Sequence, residues 1–142
     1  MENPKPIILA GSLVLCLLAI NTLAASKTPT VAARIRFKRG ESSGNVSGRL
    51  TSRLLKKSFL IGAKAGQTLY VSVEAKTSDG LNFANFLIFD PSGKSIASDT
   101  TPSVRLKQTG DYRIEVSPPG SFYNEKLKGY KELLFTLSVR VE

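Results

Sequence analysis

The chain has 142 residues, with 20 Lys and Arg against 11 Asp and Glu, a formal net charge of +9, one cysteine and no histidine. With no histidine and Cys16 as the lone thiol, Ser-His-Asp and Cys-His catalysis are excluded, as are zinc sites built from His and Cys. A positive balance of this size favours anionic partners and makes their association salt-sensitive.

The first element in chain order is a predicted export signal over residues 1–25. Lys5 supplies a positive start, and residues 7–20 form an apolar run of 14 interrupted only by Gly11 and Ser12. That run is shorter than the roughly 20 residues a membrane-spanning helix needs, so no stable membrane insertion is expected after cleavage. The small residues Ala24 and Ala25 offer the cleavage position. Removal takes Lys5, Glu2 and Cys16 with it and leaves 117 residues, still at +9. The expected product is a periplasmic or secreted protein with a flexible start at 26–32 and one domain over 33–142.

From there the apolar spacing has period two. Ile35 and Phe37 alternate with Arg34, Arg36 and Lys38, which predicts a strand over 34–38. Strands are predicted at 46–50 and 59–63, then where Leu69, Val71, Val73 and Ala75 alternate with Tyr70, Ser72 and Glu74. Further strands are expected at 83–89, 95–97 and 104–106, and where Tyr112, Ile114 and Val116 share one face. The longest alternation is the last: Leu133, Phe135, Leu137, Val139 and Val141. Turn signals at 65–67, 78–80, 90–93 and 109–111 separate these runs at intervals of about ten residues, as in a sandwich or barrel. In the 90–93 turn, Asp90 is the cap, Pro91 presets its φ and Gly93 accepts a positive φ. The predicted fold is all-β, an antiparallel β-sandwich of about eight strands. The longest irregular stretch, 117–130, contains Pro118, Pro119, Gly120 and Gly129.

Three blocks carry a family resemblance. They are Phe37-Lys38-Arg39-Gly40 with Ser42-Ser43-Gly44 and Ser47-Gly48, then Ala63-Lys64-Ala65-Gly66-Gln67, then Thr109-Gly110-Asp111-Tyr112 with Ile114-Glu115-Val116. In order and approximate spacing the chain resembles the bacterial periplasmic inhibitors of g-type lysozyme. A broader group, the small β-sandwich modules appended to secreted bacterial peptidases, shares the second and third blocks. The resemblance implies a protein partner, a g-type lysozyme, whose substrate cleft is occluded by a loop bearing basic or hydroxyl groups.

By that resemblance Thr109, Gly110 and Tyr112 match the family's hydroxyl-Gly-x-Tyr loop. Two roles are open to them: Thr109 and Gly110 as contact or as hairpin turn, and Tyr112 as contact or as a cap on the core. Where the family carries an arginine pair after the third block's strand, this chain has none over 117–125. Lys126 and Lys128 follow and offer point charges, without the planar fork of arginine. Phe122 and Tyr123 either form an aromatic tip for a ligand or fold back onto the sheet. The candidate contact set is therefore Thr109, Gly110, Tyr112, Phe122, Tyr123, Lys126 and Lys128, with no catalytic residue, metal or cofactor.

The rival reading is a non-catalytic envelope module that binds an anionic polymer through a basic face. It draws on Arg34, Arg36, Lys38, Arg39, Arg49, Arg53, Lys56 and Lys57, which all fall within 24 residues. Nucleic acid is not expected as a partner, because that cluster holds only Phe37 as an aromatic and Phe37 is in phase with the core.

Overall fold

The computed structural model describes residues 31–51, 53–77, 84–119 and 132–142. The export signal and the predicted 78–80 turn lie outside these residues. So do Phe122, Tyr123, Lys126 and Lys128.

Among the described residues, nine strands form two packed sheets: β1 (Ala33–Arg34), β2 (Ser43–Leu50), β3 (Lys57–Ala63), β4 (Thr68–Thr77), β5 (Asn85–Phe89), β6 (Ser95–Ser98), β7 (Ser103–Arg105), β8 (Gly110–Ser117) and β9 (Leu133–Val141). One sheet runs β1-β3-β8-β5-β6 and the other β2-β9-β4-β7. Every pairing among these strands is antiparallel except β1 with β3, which is parallel. This is the sandwich that the period-two pattern predicts. The longer strands have one face toward the core and one toward water, and that asymmetry produces the alternation. In β9 the buried positions are Leu133, Phe135, Leu137, Val139 and Val141.

The core lies between the sheets. Its largest fully buried side chains include Tyr112, Phe59, Leu69, Ile88 and Leu106. Phe59 of one sheet meets Phe135 of the other edge to face, with centroids 6.0 Å apart and planes at 84°. Phe135 lies against Gly48, where a Cβ would come within 2.2 Å of the ring. The glycine of the Ser47-Gly48 pair is thus required by packing.

One expected strand is corrected. Residues 34–38 do not form a strand of their own; pairing stops at Arg34 after two residues. The Ile35 amide still donates to the Leu60 carbonyl at 2.8 Å, and then the chain crosses to the other sheet to begin β2 at Ser43. Ile35 is buried and Phe37 is packed against the core beside Gly44. An extended crossing with alternate residues turned inward has the same apolar period as a paired strand, and only the hydrogen-bond partners distinguish them.

Candidate functional site

Strand register defines two ends of the sandwich. Ala63 pairs with Gly110 at one end of the β3–β8 ladder, and Lys57 pairs with Val116 near the other. Three turns meet at the Gly110 end, and hydrogen bonds tie two of them together. The Ala65 amide donates to Thr109 Oγ1 at 3.0 Å. The Gly66 amide donates to the Leu106 carbonyl, and the Leu106 amide to the Gln67 carbonyl, both at 2.8 Å. Within the first turn, the Lys64 amide donates to Gln67 Oε1 at 2.8 Å.

The third turn joins through contact. Gly110 has a φ of +154°, which L side chains rarely adopt, and a Cβ there would sit 2.9 Å from Pro91 Cγ. The Pro91 turn is built as the sequence predicts. Asp90 Oδ1 accepts from the Ser92 amide at 2.9 Å, the Lys94 amide at 3.0 Å and the Ser92 hydroxyl, while Gly93 has a φ of +86°. The Ser92 hydroxyl bond above all holds the Asp90 carboxyl below its ordinary value; the bonds from the two amides and the Lys94 charge add to this, and desolvation opposes it.

Tyr112 is 1% exposed, so its ring is part of the core. Its hydroxyl donates to the Gln108 carbonyl at 2.6 Å and accepts from the Gln108 amide at 3.2 Å. Of the two roles open to Tyr112, the structure shows the core one, with a consequence for the surface: the buried phenol fixes the turn that presents Thr109. On the outer face beside it, Asp111 accepts a forked pair of hydrogen bonds from Arg34, one from Nη1 at 2.8 Å. The guanidinium's hydrogen bonds, with its charge, hold the Asp111 carboxyl below the usual range, against a smaller desolvation effect.

The candidate contact residues attach at opposite ends of β8. Thr109 precedes Gly110, whereas Phe122, Tyr123, Lys126 and Lys128 fall in the sequence between the end of β8 at Ser117 and the start of β9, in the other sheet, at Leu133. Eight strand residues at about 3.3 Å each put roughly 25 Å between these attachment points.

The cations of 34–57 do not form a single face. Arg34 is paired to Asp111 and Lys56 to Glu115 on one sheet, while Arg49 is paired to Glu132 on the other. A basic arrangement the sequence reading missed lies elsewhere. Lys94, Arg105 and Lys107 line a cleft of about 560 Å³ beside the Thr109 end. They come from the turn before β6, the end of β7 and the turn before β8, so no local spacing links them.

No protein-family model matches the chain, and neither does any curated protein. Solved structures do match in fold. Aeromonas hydrophila PliG, a periplasmic inhibitor of g-type lysozyme, aligns with a TM-score of 0.59 at 22% identity over 78% of this chain and 96% of its own. Salmonella Typhimurium PliG gives 0.57 at 16% identity, over 78% and 97%. A mutant of the Escherichia coli PliG gives 0.54 at 19% identity over the same shares. The chain therefore has the β-sandwich fold of these inhibitors, as its three sequence blocks imply.

Proposed function

We propose that this chain is an exported, non-catalytic inhibitor that binds a g-type lysozyme and blocks its cleft with loops from the sandwich ends. The observation that carries the reading is the fold shared with three such inhibitors over 78% of the chain. Their periplasmic description agrees with the export signal expected at residues 1–25.

The Thr109 end supplies what an occluding loop needs. Its position is fixed before docking, which limits the entropy lost on association. The Thr109 hydroxyl accepts from Ala65 and keeps its own proton to donate to a carboxylate at the lysozyme's catalytic centre. Tyr112 acts as a positioning residue through Gln108. Phe122, Tyr123, Lys126 and Lys128, in the sequence between β8 and β9, form a second contact set.

A turbidity assay on peptidoglycan, at near-physiological salt, tests the reading. The expected result is saturable one-to-one inhibition of a g-type lysozyme. Thr109→Arg should reduce it at least tenfold, and a Lys126→Ala/Lys128→Ala double variant should reduce it less. No inhibition at high molar excess across several g-type enzymes would remove the inhibitor reading. Loss confined to the lysine variant would move the contact to the other end of β8.

A further inference from the structure

The cleft beside the Thr109 end has a composition of its own. β6 and β7 are consecutive in sequence but belong to different sheets, each at the edge of its sheet. The cleft lies along these two edges. Half-buried Ile96 and Val104 give it an apolar lining, and Tyr112 contributes from the core side. Ser92, Ser95 and Gln108 add hydroxyl and amide groups. Lys94, Arg105 and Lys107 oppose a single carboxylate, Asp90, which is already engaged by Ser92 and the Lys94 amide. Arg105 and Lys107 have no ion-pair partner among the described residues.

We infer that this cleft binds an acidic sugar unit, with its carboxylate against Arg105 and Lys107 and its ring over Ile96 and Val104. Each part of the lining selects for one part of that ligand. The two cations, without an ion-pair partner among the described residues, complement one carboxylate, and the arginine can hold it through two parallel N–H donors. The aliphatic side chains suit the C–H face of a pyranose. The serine hydroxyls and the Gln108 amide both donate and accept, as sugar hydroxyls require. A purely apolar acid would leave these polar groups unmatched, and a neutral sugar would leave the cations unmatched. About 560 Å³ lies within the usual range for small-ligand sites. The inference does not rest on the inhibitor reading, since sugar binding and lysozyme inhibition are measured separately and either can fail alone.

Amide NMR titration of the purified protein with sodium glucuronate tests it, with glucose and sodium acetate as controls. Glucuronate should shift the amides of Ile96, Arg105, Lys107 and Gln108 saturably, with at least tenfold higher affinity than either control. The exposed double substitution Arg105→Gln/Lys107→Gln should weaken glucuronate at least tenfold while leaving the remaining spectrum folded. An oligogalacturonate that binds more tightly than the monomer assigns the ligand to a glycan chain; equal affinity assigns it to the free sugar. Three results would overturn the inference: no saturable shifts, acetate binding as well as glucuronate, or glucuronate shifts that persist in the double variant.

Discussion

The two ends of the sandwich are held by different physics. At the Thr109 end, turns are cross-linked by directional bonds: Ala65 to Thr109, Gly66 to Leu106, Leu106 to Gln67 and the Tyr112 hydroxyl to Gln108. Toward the other end, Phe59 and Phe135 interlock over Gly48, and shape complementarity between rings and backbone does the holding. Apolar packing supplies most of the free energy but is indifferent to small rotations, whereas hydrogen bonds weaken steeply when misaligned. The hydrogen-bonded end is therefore suited to presenting polar groups at fixed positions, and the packed end to keeping the sheets together.

Breaking the packed end should have the largest effect. In Gly48→Ala the new methyl meets the Phe135 ring inside van der Waals contact, so the ring must leave its place against Phe59. The expected loss is about 1–3 kcal/mol in urea unfolding. Faster amide exchange should appear first around Gly48, Phe59 and Phe135. If exchange instead rose first at 106–112, the two ends would not be separate units.

The converse variant is Tyr112→Phe, which keeps the buried ring and removes both bonds to Gln108. About 0.5–1.5 kcal/mol should be lost. Exchange should quicken at Gln108 and Thr109 while the Phe135 region is unchanged. Lysozyme inhibition, if present, should weaken by more than the fraction unfolded explains. A smaller effect is expected from Thr109→Val. The Ala65 amide loses its acceptor but is exposed, so water replaces much of the bond and about 0.5 kcal/mol is lost. Calorimetry of the two variants ranks them, and a Thr109→Val that costs more than Tyr112→Phe would contradict the buried phenol as the main fixture.

The same contrast explains what the sequence reveals. Packing against one face writes itself into the chain as alternation, so β4, β8 and β9 are legible from Leu69, Tyr112 and Leu133 onward. Pairing partners are not, because hydrogen bonds between strands leave no mark on side-chain order. Hence Ile35 and Phe37 read as a strand when they belong to a crossing. The separation of Thr109 from Ser117 is readable in principle, since the full strand β8 lies between them and its two ends cannot coincide. The cleft cations had no such signal. Lys94, Arg105 and Lys107 come together only because β6 and β7 end up on facing sheet edges.

Acid sharpens the comparison further, with the smallest expected effect. Two carboxylates whose titration is displaced, Asp90 and Asp111, both lie at the Thr109 end. Asp90 is displaced foremost by its Ser92 hydroxyl bond and Asp111 by its bonds from Arg34. Both have folded pKa values below their unfolded ones, so the folded state favours the ionised form. Their contribution is present in full above the ordinary carboxylate range near 4 and is lost as pH falls through the depressed folded values. Asp111 is exposed and Asp90 partly so, which lets solvent screen the effect, and global stability should move little. Locally the consequence is specific: below the ordinary range, exchange at 90–94 and 110–113 should accelerate before exchange near Phe59 and Phe135. Asp111→Asn should flatten the acid dependence at 110–113 and leave it intact at 90–94. Uniform loosening of both ends would mean that the turns and the packed rings open as one unit, and the division between a positioning end and a stabilising end would fall.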